Sequence, residues 1–177
     1  MAAKSKAKKD LYYSVWSTSW GAVGAVAGEN GLTRVVLPHY IMEDLCELLA
    51  WEHKGTKRDD KQFKELTKLS RAYFSGKKTD FSSIVCDLPP ETQFSGKVWR
   101  ACGEIPYGKT MSYSQLALAI KSEDGARAVA GALSRNPIPL VIPCHRVTYA
   151  DGTPGGFSAP GGVNLKAKML TLEFSKA

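Results

Sequence analysis

A thiol, an imidazole and a guanidinium stand side by side at Cys144, His145 and Arg146. A free thiol is mostly protonated at neutral pH, and only its thiolate is a good nucleophile. The neighbouring histidine supplies a candidate base, which in turn needs a group to orient it. Chemistry of this kind is nucleophilic attack by sulfur. The residues alone leave a second reading open. A buried cysteine is often a small inert hydrophobe, and a single Cys-His pair is only a candidate nucleophile.

Whatever the cysteine does, the elements around it must hold it still. Pro137-Ile138-Pro139-Leu140-Val141-Ile142 is apolar, and its prolines exclude a helix, so a buried extended segment is expected to deliver the thiol at Pro143-Cys144. Further upstream, Phe94, Val98, Trp99 and Cys102 recur at helical spacing, which makes Cys102 a core residue. Pro106-Tyr107-Gly108 turns the chain, and Ser112 with Gln115 has the spacing of a capping box opening a helix over 112–120. A polar turn at 121–125 leads into a second helix over 126–134, so the pair reads as a helix-turn-helix. That second helix carries Ala126, Ala128, Ala130 and Gly131, too small to reach base edges in a major groove. Small side chains fit either tight packing within the protein or close approach of the helix backbone to another surface.

The N-terminal half reads as a small α/β module. Strands are expected over 11–17, 21–28 and 32–37, with Asn30-Gly31 forming a hairpin turn. Helices are expected over 41–51 and 63–74, with a polar loop over 54–60 and a further strand over 81–88. Pro89-Pro90 marks a boundary, giving a basic tail over 1–10, an α/β domain over 11–90 and a second domain over 91–177. No chemistry is legible in the first half.

Composition narrows the function classes. No apolar run among the 177 residues approaches a membrane span, and no apolar segment follows the basic start as in a secretory signal. Cys46, Cys86, Cys102 and Cys144 are far apart and form no Cys-x-x-Cys pair, which argues for a reducing, intracellular location and against a disulfide framework or a metal site. Net charge is +7, with Lys4, Lys6, Lys8 and Lys9 in the tail, a balance compatible with a polyanionic partner. The tail itself reads as a solvated, disordered terminus.

From about Gln93 to Glu173 the chain resembles the O6-alkylguanine-DNA alkyltransferases. Pro143-Cys144-His145-Arg146, Ile105-Pro106-Tyr107-Gly108, Ser112-Tyr113, Ala126-Arg127-Ala128-Val129 and Asn136-Pro137 carry the likeness in the family's order. The resemblance implies an α/β + α fold. Its N-terminal α/β module would hold a small antiparallel sheet of ribonuclease H-like form. Its mainly helical second domain would carry a winged helix-turn-helix-like motif. It also implies direct reversal of damage, with an alkyl group moving irreversibly from O6-alkylguanine, and from O4-methylthymine, to Cys144 after the base is flipped out. His145 is then the base and Glu173 its orienting carboxylate, favouring a charged imidazolium. Tyr113 assists flipping and donates a hydrogen bond to the base. Arg127 fills the gap in the duplex, and Ala126, Ala128, Ala130 and Gly131 lie in the minor groove.

Asn136, Val147, Phe157, Ser158 and Lys166 complete the implied substrate pocket, with Asn136 organising it and an exposed lysine as the competing reading of Lys166. Phe157 stands where the family usually has tyrosine, and Ala159-Pro160 lengthens the loop. The implied partner is double-stranded DNA carrying the lesion, met by a cytoplasmic monomer (nuclear in a eukaryote) without cofactor or metal. Competing readings are an alkylated-base sensor without catalysis, a Cys-His hydrolase, and a transcription regulator with a methylation-sensing zinc domain.

Overall fold

Strand β1 (Tyr12–Thr18) sends Val15 to one side and Trp16 to the other, and both are buried. This alternation sets up a sheet covered on both faces. The computed structural model describes residues 10–175, so the lysine-rich tail lies outside the described residues. β1 pairs antiparallel with β2 (Gly21–Gly28), and β2 pairs antiparallel with β3 (Gly31–Val36). A two-residue strand, β4 (Lys57–Arg58), lies parallel to β1, giving the order β3-β2-β1-β4. The sheet is therefore mixed, not purely antiparallel, and part of the expected 54–60 loop forms its edge.

Helix α1 (Met42–Glu52) closes one face, burying Leu45 and Leu49 with Val15, Val26 and Val36. The opposite face meets α2 (Lys64–Phe74) and the second half of the chain in one apolar cluster, which runs from Trp16 and Val35 through Phe74 and Trp99 to Met169. The β2–β3 turn differs in detail from the expectation. Gly31, at φ 122°, is the residue that takes the positive angle, while Asn30 is not among the non-glycine residues that do.

The expected strand over 81–88 does not form. Asp80 accepts hydrogen bonds from the Ser82 amide and hydroxyl at 2.9 Å each, and Ile84 N bonds to Phe81 O at 3.0 Å. This side chain offers the backbone a turn that competes with a ladder. Only Cys86 bridges to Leu32.

Helix α3 (Phe94–Gly103), α4 (Tyr113–Ala119) and α5 (Ala126–Leu133) follow as anticipated, and strand β5 (Met111–Ser112), which the sequence did not suggest, lies between α3 and α4. Ser112 and Gln115 form the complete capping box. A close approach explains Gly96, since a Cβ there would strike the carbonyl oxygens of Pro89 and Pro90. β6 (Val147–Thr148) pairs parallel with β5, and α6 (Gly162–Phe174) ends the described chain.

Candidate active site

Segment 137–142 is buried but not extended. Leu140 adopts φ 78°, and Ile142 N returns to Ile138 O at 2.9 Å. Asn136 holds the reversal together: its Oδ1 accepts from Ile138 N at 3.0 Å, and its Nδ2 donates to Ile142 O at 2.9 Å. The same Nδ2 lies 3.2 Å from the Cys144 sulfur. Asn136 thus shapes the loop, as expected, and in addition touches the thiol. Outside the segment, Pro137 O accepts from Val35 N at 2.9 Å, which ties the loop to the β3 edge.

Cys144, His145 and Arg146 form a single 3-10 turn, and all three are buried. Helix α6 supplies its partners. Lys166, Met169, Leu170 and Glu173 follow the i, i+3, i+4, i+7 pattern of one helix face, and all four are buried. Two of those four inward positions are therefore charged. Glu173 Oε1 lies 2.7 Å from His145 Nε2, and Arg146 Nε donates to Glu173 Oε2 at 2.9 Å. Gly108 N donates to the same Oε2 at 2.9 Å. Arg146 also donates through Nη1 to Ile105 O at 2.6 Å. Its burial and partners make it a structural ion-pair partner and remove it from contact with phosphate.

Tyr73, on α2, is the functional residue that sequence reasoning missed. Its hydroxyl donates to Glu173 Oε1 at 2.9 Å and lies 3.3 Å from His145 Nε2. In the sequence it falls within the helix expected over 63–74 and carries no chemical signal. The N-terminal half therefore does contribute to the site.

Electrostatics set the resting state. Burial alone would raise the Glu173 pKa, but the bonds from His145 and Arg146 outweigh it and hold the carboxyl down to about 2. Burial pulls His145 below its ordinary value, against the opposing pull of Glu173. Glu173 does favour the charged imidazolium, as expected, but desolvation, aided by Arg146 and Lys166, is the larger effect and favours the neutral ring. With Nε2 directed at a carboxylate, the proton belongs on Nε2 and the lone pair on Nδ1. Nδ1 is buried and has no hydrogen-bond partner. Burial also raises the Cys144 thiol, although the Asn136 bond and the Lys166 charge pull the other way. The resting pair is neutral thiol and neutral imidazole, a nucleophile that waits for its base.

A pH prediction follows from these directions. Activity that needs a bare Nδ1 should stay level as pH falls through 6.5, the ordinary histidine value, and drop only below it. Stability should move the same way. Keeping His145 neutral costs nothing above pH 6.5 and increasingly more below it, and the Glu173 contribution is complete above 4.5 and lost toward about 2. Single-turnover rates and melting temperatures across acid and neutral pH check both limbs. A rate that falls already between pH 7.5 and 6.5 would show that His145 is not depressed.

Lys166 is fully buried, so the exposed-lysine reading is wrong. Its Nζ donates to Val147 O at 2.6 Å and lies 3.4 Å from the Tyr113 hydroxyl. A lysine can only donate, so Tyr113 accepts there and its own proton is free to point elsewhere. Gly155 backs the same phenol, because a Cβ at that position would collide with the Tyr113 hydroxyl.

Cys144 borders two cavities. One, of about 440 Å³, is lined by Tyr113, Ala130, Phe157, Ser158 and Tyr149. The other, of about 230 Å³, is lined by Asn136, Phe157, Ser158 and, from the first half, Arg34, Leu37 and Tyr40. Val147 borders neither; its side chain is core, and its carbonyl anchors Lys166. Ala126, Arg127 and Ala128 lie on the outer side of α5, whose Val129, Ala132 and Leu133 face inward; Arg127 and Ala128 are exposed, and Ala126, Ala130 and Gly131 are part-exposed.

Residues 93–175 match the family model described as 6-O-methylguanine DNA methyltransferase, DNA binding domain. Over 173 residues the chain is 43% identical to the methylated-DNA–protein-cysteine methyltransferase of Methanosarcina barkeri, covering 92% of this chain and 97% of that one. The protein of the same name from Methanothermobacter thermautotrophicus is 34% identical over 151 residues, covering 85% of this chain and 78% of that one. Among solved structures, Mycobacterium tuberculosis OGT in complex with DNA is similar at a TM-score of 0.76 and 33% identity, covering 94% of both chains.

Proposed function

The chain belongs to the methylated-DNA–protein-cysteine methyltransferases, which act in direct-reversal DNA repair, and from that premise we propose that Cys144 takes the alkyl group from O6-alkylguanine in double-stranded DNA. The observation that carries this reading is a buried thiol, Cys144, next in the chain to a buried histidine that Glu173 anchors through Nε2 and whose Nδ1 lacks a partner. Cys144 Sγ attacks the alkyl carbon in line with the bond to O6. The C–S bond forms, the C–O bond breaks, and its electron pair is left on the guanine. The thiol proton passes to His145 Nδ1 over a water, and Glu173, held by Arg146, Tyr73 and Gly108, stabilises the imidazolium as it appears. Tyr113, its acceptor side taken by Lys166, donates to the purine and offsets the charge on the departing base. A thioether has no good leaving group, so each molecule reacts once.

The base has to leave the duplex stack to reach a thiol set this deep, at a cost of a few kcal/mol. The exposed flank of α5, where Ala126, Ala128, Ala130 and Gly131 leave little bulk, suits close approach to a minor groove, and Arg127 would fill the vacated position. Phe157 and Ser158 would contact the base, and O4-methylthymine is a second substrate of the same geometry. We assign the chain two units, 11–90 of ribonuclease H-like form and 91–177 with a winged helix-turn-helix-like motif, acting as a cytoplasmic monomer.

The decisive test is intact mass after mixing with a duplex containing O6-methylguanine. One added methyl, mapped to the peptide holding Cys144, supports transfer. Repeated release of product, or binding without any mass change, refutes it. Arg127→Ala should slow reaction with that duplex by on the order of tenfold, since part of the few kcal/mol that hold the base out is lost. Reaction with free O6-benzylguanine should change far less. Equal losses on both substrates would place Arg127 in the pocket or the fold.

A further inference from the structure

We infer that Tyr149 is a substrate-binding residue, the stacking surface for the alkylated base at the mouth of the Cys144 cavity; the inference rests on the transfer reaction proposed above. Tyr149 directly follows β6 and is 56% exposed. The described residues expose other large apolar side chains, among them Ile41, Trp51, Leu118 and Phe174. None of those borders either cavity that Cys144 lines, whereas Tyr149 borders the larger one.

Its ring is paired with that of Tyr113, centroid to centroid 5.6 Å at an interplanar angle of 57°. The two rings therefore stand as adjoining walls, one beside the thiol and one at the rim. Tyr113 is held from behind by Lys166 and Gly155. Tyr149 is held by its backbone: its N donates to Thr153 O at 2.9 Å, and its O accepts from Gly152 N at 3.0 Å. Asp151 Oδ1 tightens the same turn by accepting from the Thr153 amide and hydroxyl at 2.9 and 2.7 Å. An aromatic ring exposed at a reactive cavity, on a turn already fixed, loses little freedom when a flat ligand arrives. Every nucleobase has a π-face for such a ring to meet.

The test uses a short single-stranded oligonucleotide with one O6-methylguanine, so that phosphate contacts do not mask the contribution. Single-turnover methyl transfer is measured against protein concentration for the parent, Tyr149→Ala and Tyr149→Phe. Tyr149→Ala should raise the half-saturating concentration about tenfold, the size expected for one lost base–aromatic stack, with the saturated rate within about twofold. Tyr149→Phe should match the parent, because the ring and not the hydroxyl makes the contact. A half-saturating concentration that is unchanged or lowered in Tyr149→Ala overturns the inference. So does a loss confined to the saturated rate, which would make Tyr149 a support for Tyr113. A parent that transfers no methyl at all would instead refute the reaction itself. Melting temperature should hold in both variants, since the side chain is largely exposed.

Discussion

Cys144→Ser is expected to bind DNA as the parent does and to gain no methyl group. The hydroxyl can occupy the place of the thiol beside Asn136, so the loop and the α5 surface stay in register. A serine hydroxyl is far less acidic than a thiol, and a neutral imidazole depressed by burial is too weak a base to activate it. Cys86 and Cys102 are poor substitutes. Burial raises Cys86 to about 11 and holds Cys102 well above its ordinary value. Intact mass with the O6-methylguanine duplex, together with binding to the same duplex, measures both halves. A methyl found on Cys46, Cys86 or Cys102 of the variant would sink the assignment of Cys144.

Glu173→Ala should be the most destabilising single change in the site. It strips His145, Arg146, Tyr73 and the Gly108 amide of one common acceptor, and leaves the Arg146 charge buried without its partner. Breaking a buried pair in this way typically costs ~3–5 kcal/mol. That is a large part of the ~5–15 kcal/mol that holds a domain folded. Thermal or denaturant melting reads the loss. Glu173→Gln keeps the shape and one acceptor oxygen, so it should fold better yet react slowly, because a neutral amide does not stabilise an imidazolium. If Glu173→Ala melts like the parent, the bonds to these four partners do not hold the structure together.

Much of this was legible beforehand. The helices over 94–103 and 113–119 followed from apolar spacing and from the Ser112–Gln115 box, both local signals. The positions of Cys144, His145, Glu173 and Asn136 came with the motif order, and the geometry brings them together. What escaped notice depends on contacts distant in sequence. Tyr73 meets Glu173 across 100 positions, and its pattern is that of any core tyrosine. The protonation of His145 could not be read from its neighbours, because the resemblance supplied a carboxylate but not the degree of burial that outweighs it. Segment 137–142 looked extended because its prolines exclude a helix and its run is apolar. The bend at Leu140 is imposed by Asn136, which clamps both ends. The resemblance implied Val147 in the pocket, but its place in the parallel β5–β6 pair turns it into the core.

The acceptor that unites the site also sets when the site can be complete. Glu173 is added to the growing chain 28 residues after His145, on the helix that ends the described fold. Synthesis runs from the N-terminus, so Tyr73 and then the Cys144 turn emerge before the carboxylate that joins them. Until α6 packs, the imidazole lacks the carboxylate that anchors it. A chain cut short ahead of α6 would carry the cysteine and still be unable to use it.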